Sequence, residues 1–284
     1  MQDEIKNKLN KINDLSTLSV VAQNVIQLTQ SPKTSALQVG DAISQDPALS
    51  SKVLRLANST FYGFPRKIVT ISSAIVILGF SNIRNIAITA SIANLVPLKK
   101  DSGYFDRLEF WKHSLACGIT SRLLAKRSGM KNIEEVFLWG LLHDLGKIVL
   151  DEYFKEEFVR AISLAKEKDI LLRDAEEEIF GIDHAAVGGM MGEIWNLPQT
   201  LLKAIRFHHN PSLANESMRM VALVHLSDVF CRAIGLNDGG DSKIPLINTD
   251  AWNLFKCNKQ LIKNLFSEME QEIANSTDFL TFLE

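Results

Sequence analysis

Apolar residues recur at intervals of three and four along nearly the whole chain, and no stretch alternates polar and apolar residues over the length of a strand. That pattern predicts an all-α fold, because it lines one face of a helix and neither face of a sheet. Helix starts are written in capping residues: Ser19, Ser35, Thr70 and Ser81 are placed as N-caps, and Asp46-Pro47 pairs a capping carboxylate with proline in the first turn. Pro32, Asn58-Ser59, Gly79 and Pro97 mark stops. The segment from Asn82 to Val96 is apolar nearly all round, the mark of an interior helix. Residues 97–106, with Pro97, two lysines and Asp101-Ser102-Gly103, divide the pattern. We therefore expect an N-terminal helical subdomain over 1–103, packed on a second helical bundle over 104–284.

The 284 residues are 46% hydrophobic and 23% charged, enough to bury one large core or two modest ones. A formal net charge of −2 favours neither nucleic acid nor an anionic membrane as partner. No apolar run reaches the roughly 18 residues that would span a bilayer. The N-terminus, Met1 to Asn13, reads as an amphipathic helix without a signal-peptide core. Cys117, Cys231 and Cys257 form no CxxC pair and no disulfide framework, so they read as buried structural thiols in a reducing, cytoplasmic setting.

Chemistry enters at Leu141-Leu142-His143-Asp144-Leu145-Gly146-Lys147, where a histidine and a carboxylate interrupt an apolar run. Burying such a pair without partners costs several kcal/mol, and a divalent metal would satisfy both groups. All six histidines (His113, His143, His184, His208, His209 and His225) lie beyond the dividing segment, each at or near a predicted helix. Side chains converging from facing helices are how a bundle builds a metal site. His225, on an apolar helix, reads instead as a core residue. The remaining five, with Asp144 and Asp228, make seven candidate ligands. That is too many for one tetrahedral ion and suits two, with Asp144 as the bridge. Imidazole and carboxylate suit iron, manganese, zinc or another borderline divalent ion. The acidic run Glu176-Glu177-Glu178 reads as a solvated face, and Asn237 to Pro245 as an exposed loop.

The order His, His-Asp, His, His-His, Asp resembles the HD superfamily of metal-dependent phosphohydrolases. His143-Asp144-x-Gly-Lys147 with His208-His209 is similar to its HD-GYP branch, which cleaves cyclic dinucleotides. That resemblance implies one metal held by His113, His143, Asp144 and Asp228 and another by Asp144, His184, His208 and His209. It casts Asp144 and Lys147 as catalytic, Lys147 contacting a substrate phosphate, and Glu109 as an extra carboxylate ligand one turn before His113. Asn210-Pro211 stands where HD-GYP proteins carry an acidic residue and Gly-Tyr-Pro, which removes the feature tied to cyclic-di-GMP.

Other motifs resemble the HDOD family of bacterial signalling modules. They are Asp46-Pro47-Ala48-Leu49, Leu54-Arg55-Leu56-Ala57-Asn58-Ser59, Ala74-Ile75-x-x-Leu78-Gly79 and Phe110-Trp111-Lys112-His113-Ser114. The resemblance implies an N-terminal HDOD subdomain on an HD-type bundle that has kept its metal ligands. The expected cofactors are two divalent ions, iron or manganese before zinc or magnesium. The expected partners are a nucleotide or other phosphoester and a signalling protein, with no membrane and no nucleic acid. The resemblance leaves two functions open: a metal-dependent phosphohydrolase, or a signalling module whose metal is structural or sensory. Oxygen chemistry at paired iron is a third idea that nothing in the sequence selects.

Overall fold

The computed structural model describes residues 20–31, 33–95, 103–131, 133–236, 239–276 and 278–280, and among them there is no strand. The expected opening helix, the Ser19 cap, the stops at Pro32 and Pro97 and most of the dividing segment lie outside the described residues. The first half holds α1 (Val20–Gln30), α2 (Ala36–Ser44), α3 (Pro47–Ala57), α4 (Ile71–Leu78) and α5 (Phe80–Leu95). The second holds α6 (Arg107–Arg127), α7 (Ile133–Leu142), α8 (Leu145–Tyr153), α9 (Lys155–Lys168), α10 (Leu172–Phe180), α11 (His184–Ile194) and α12 (Gln199–Phe207). A 3-10 turn (Pro211–Ser217), α13 (Met218–Ala233), α14 (Thr249–Leu254) and α15 (Lys259–Ala274) complete it.

The expected caps form where a side-chain oxygen can meet free N–H groups. Ser35 and Gln38 make a reciprocal capping box on α2, Asp46 accepts from Ala48 and Leu49 on α3, and Thr70 accepts from Ser73 on α4. Ser81 does not cap: α5 already begins at Phe80, because Gly79 at φ +84° turns the chain directly from one helix into the next. The Asn58 side chain is spent on the fold as well. Its amide donates to Leu54 O and Ile68 O and accepts from the Ile68 N–H, clipping the loop after α3 to the helix end.

One contiguous core runs from Ala22 to Phe279 through both halves. Helix α5, interior as expected, packs on α1, α3 and α4 and also on α7. At that last contact Arg84 pairs with Glu135 at 2.7 Å and Asn85 donates to Glu134 O. Phe61 stacks on Phe137 and Phe279, tying the loop after α3 to the bundle. In the bundle, α6 packs closely along α7 and α13, and α8 along α11. The run around the His-Asp pair is two helices, α7 and α8. His143 and Asp144 form the turn between α7 and α8, so both side chains leave the helical rows and point across the bundle.

A candidate metal centre

Three helix junctions and two helix bodies meet at one interior point. His143 and Asp144 come from the α7–α8 turn, His184 from the first residue of α11, His208 and His209 from the end of α12, His113 from α6 and Asp228 from α13. His113, His143, Asp144, His184, His208 and Asp228 are essentially sealed from solvent. Asp144 heads α8 but makes no capping hydrogen bond, which frees its carboxylate for the centre. Its two oxygens face opposite ways. Oδ1 lies 3.1 Å from His184 Nε2 and 3.3 Å from His208 Nε2. Oδ2 lies 3.4 Å from His143 Nε2 and 4.0 Å from His113 Nε2. His113 Nε2 also stands 3.1 Å from Asp228 Oδ1, and His209 Nε2 stands 2.9 Å from His184 Nε2.

Hydrogen bonds fix which ring nitrogens face inward. His143 donates Nδ1–H to Gly140 O at 2.7 Å, and His208 donates Nδ1–H to Ile205 O at 2.8 Å. A carbonyl only accepts, so each Nε2 is left as a bare lone pair in the neutral ring. Burial, outweighing the nearby Asp144, pushes His143 down to about 3, so that ring stays neutral. Both lone pairs therefore point at the Asp144 carboxylate, and neither Nε2 has a hydrogen-bond partner. Such an arrangement is repulsive unless a cation stands between the groups, so the donors fit a divalent metal. The ligand atoms fall into overlapping sets within 4.8 Å: His113, Cys117, His143 and Asp228; His143, Asp144 and His208; His184, His208 and His209.

Charged neighbours hold the donors in place. A single Glu176 oxygen takes both the His184 backbone N–H (2.8 Å) and its Nδ1–H (2.6 Å). Burial alone would lower His184, but the Glu176 and Asp144 carboxylates outweigh it and push the ring up to about 10. Burial works against the Asp144 charge too, yet His143, Lys147 and His184 together hold its carboxyl well below the usual range. Arg232 donates to Asp228 Oδ1 at 2.7 Å and pairs with Asp241 at 2.9 Å. The Lys147 ammonium points inward, 2.7 Å from Asp144 Oδ2, and donates to Gly239 O.

Not every candidate joins. Glu109 is half-exposed and pairs with Lys112 at 2.6 Å, away from the cluster, since its position on α6 faces the surface. His225 is a satisfied core residue: it donates Nδ1–H to His208 O and accepts at Nε2 from the Asn248 N–H. Glu176 departs from its expected solvated face. It is fully buried, and only its neighbours Glu177 and Glu178 are exposed. The loop after α13 also departs from expectation in its described part. Gly239 sits on the His113 ring, where a Cβ would come within 2.7 Å, and Asp241 is buried against Arg232. Cys117, whose Sγ lies 3.4 Å from His113 Nε2, is at the cluster's edge and not merely core.

An all-α bundle with a buried histidine–aspartate cluster at its helix junctions belongs to the HD superfamily. Within it the chain belongs to the HDOD domain family, which it matches over residues 15–211. That match ends before α13, so Asp228 and Arg232 lie beyond it. An "Uncharacterized protein" of Treponema pallidum (strain Nichols) is 25% identical over 224 residues, 78% of this chain. The chain spans 43% of that relative's length. A crystal structure of an HDOD domain protein of unknown function from Geobacter sulfurreducens is 25% identical, with a TM-score of 0.79 and 98% of each chain covered. A "Putative phosphohydrolase" from Shewanella amazonensis, 23% identical with 98% of each chain covered, shares the fold at a TM-score of 0.74.

Proposed function

We propose that this chain is a bacterial, cytoplasmic HDOD signalling protein that holds two divalent metal ions between His113, His143, Asp144, His184, His208, His209 and Asp228. The observation that carries this reading is the pair of buried Nε2 atoms of His143 and His208, both without a hydrogen-bond partner and both aimed at the Asp144 carboxylate. Metal analysis of protein purified without added metal tests it. The expected result is bound metal in the wild type and little in Asp144→Ala, with helical content unchanged. Equal metal in the variant would sink the assignment.

A second reading makes the same centre a phosphohydrolase. It is favoured by the outward-splayed Asp144 oxygens and by Lys147, whose ammonium touches the same carboxylate. When bound, paired divalent ions lower the pKa of a bridging water toward neutrality and act as Lewis acids toward a phosphoryl oxygen. The chain's own part is to keep the donors ready. Glu176 orients His184, Arg232 orients Asp228, and the Gly140 and Ile205 carbonyls set the tautomers of His143 and His208. Lys147 would supply positive charge for a phosphate. It reaches one only if Gly239, which accepts its hydrogen bond and covers His113, gives way. The closed arrangement favours the metal-holding module over turnover. Assaying cyclic dinucleotides, nucleotides and simple phosphoesters on iron- and manganese-loaded protein separates the two, since metal-dependent turnover of any of them establishes the enzyme.

A further inference from the structure

Helix α6 carries His113 and, one turn on, Cys117, so both side chains lie on the same face. Cys117 is completely buried, yet its sulfur is not surrounded only by apolar atoms. Sγ stands 3.4 Å from His113 Nε2, and the ligand atoms of His113, Cys117, His143 and Asp228 all lie within 4.8 Å of one another. One of them, His143 Nε2, is buried without any hydrogen-bond partner. Tetrahedral ligands bonded at about 2.0–2.1 Å for nitrogen or oxygen and about 2.3 Å for sulfur stand about 3.3–3.6 Å apart. The corresponding separations here are 3.4 Å for sulfur to His113, 3.1 Å for His113 to Asp228 and 3.9 Å for His143 to Asp228. Four side chains thus already occupy roughly the corners such an ion requires.

We propose that Cys117 is a thiolate ligand of one metal position, completing a set with His113, His143 and Asp228. The inference rests on the metal-binding reading above and deepens it. On binding, the thiol gives its proton to solvent and the sulfur bonds to the ion. Cys231, the other buried thiol of this region, contacts the Thr120 hydroxyl at 3.4 Å and is outside the ligand set. A sulfur ligand changes what the position selects. Imidazole and carboxylate alone admit manganese and magnesium, whereas an added thiolate shifts preference toward zinc, cobalt or ferrous iron. The two positions then differ: this one is soft, and the one at His184, His208 and His209 carries no sulfur.

Cobalt loading of the chelator-stripped, full-length protein tests this through its absorption spectrum. The expected result is a near-ultraviolet thiolate-to-cobalt charge-transfer band in wild type and in Cys231→Ser. In Cys117→Ser that band is lost while the visible cobalt bands remain. A band that persists in Cys117→Ser, or wild-type protein that binds cobalt without the band, overturns the Cys117 assignment and leaves the metal site standing. Wild-type protein that binds no cobalt at all overturns both readings. If Cys117→Ser does not fold, cadmium NMR of the wild type decides: a strongly deshielded resonance supports a sulfur ligand, and only resonances typical of nitrogen and oxygen ligation reject it.

Discussion

His184 and His143 show how one cluster holds two imidazoles in opposite protonation states. Burial leaves His143 neutral, with a folded value of about 3, while Glu176 and Asp144 keep His184 protonated to about 10. Unfolded histidine titrates near 6.5. Below that value the unfolded chain takes up a proton that His143 refuses in the fold, so stability falls as pH drops from about 6.5 toward 3. Above it the fold keeps a proton on His184 that the unfolded chain has lost, so stability declines as pH rises toward 10. Chelator-stripped protein is therefore expected to be most stable near pH 6.5 in urea titrations across the range. Metal should abolish the alkaline decline, because a ligated His184 is already neutral. Stability that rises from pH 7 to 9 in the stripped protein would contradict this account. Glu176 gives a sharper test. Removing the partner of a ligating imidazole typically costs about 10–100-fold in metal affinity. Glu176→Ala should lose that much in chelator competition, and Glu176→Gln, which keeps an acceptor, should lose less.

Between α8 and α11 the turn that carries His143 and Asp144 depends on backbone contact. A Cβ on Gly146 would come within 1.8 Å of His184 O and 2.8 Å of Gly188 N. Alanine is normally favoured over glycine in a helix by about 1 kcal/mol. Here the overlap is with backbone that cannot swing aside, and overpacking of that kind costs about 1–3 kcal/mol or more. Gly146→Ala should lower the melting temperature and weaken metal binding together, because separating the helices moves His184 away from Asp144. A variant with unchanged melting temperature and full metal content would show that the helices can part without cost. The same contact explains what was legible in the sequence. Capping residues and periodicity placed α2, α3 and α4 closely, because those signals are local. The His143-Asp144 pair and the other histidines were legible as donors because polar groups in apolar runs demand partners. Glu176 and Arg232 were not, since a charged side chain that turns inward has the same sequence neighbourhood as one that stays in water. The closeness of Cys117 to His113 Nε2 was not legible either, because a buried thiol looks identical in sequence whichever side chain it meets. Glu109 misled because helical spacing places it a turn from His113 without saying which way the side chain leaves.

The first five helices carry no candidate ligand, yet they share a continuous core with the bundle and touch the helix that delivers His143. Arg84 and Asn85 of α5 grip the start of α7, and Phe61 packs on Phe137 in its middle. Metal at the far end of α7 should therefore be felt across that core. All four tryptophans lie beyond residue 103, so their fluorescence reports only on the bundle, while far-ultraviolet dichroism reports on every helix. Ligand binding to the native state alone stabilises it by RT ln(1 + [L]/Kd), about 4 kcal/mol at a thousandfold excess over Kd. For a chain of this size each kcal/mol is worth about 2–4 °C. Chelation should then lower the melting temperature by roughly 8–16 °C from such a state of saturation, by the same two relations. If the halves unfold as one, the fluorescence and dichroism transitions shift together and stay superimposed, with metal and without. If the first helices form an independent unit, part of the dichroism change keeps its midpoint when metal is removed while the fluorescence midpoint falls. A split of that kind would detach the N-terminal helices from the metal centre, and with them the route by which a bound ion could alter the surface those helices offer to a signalling partner.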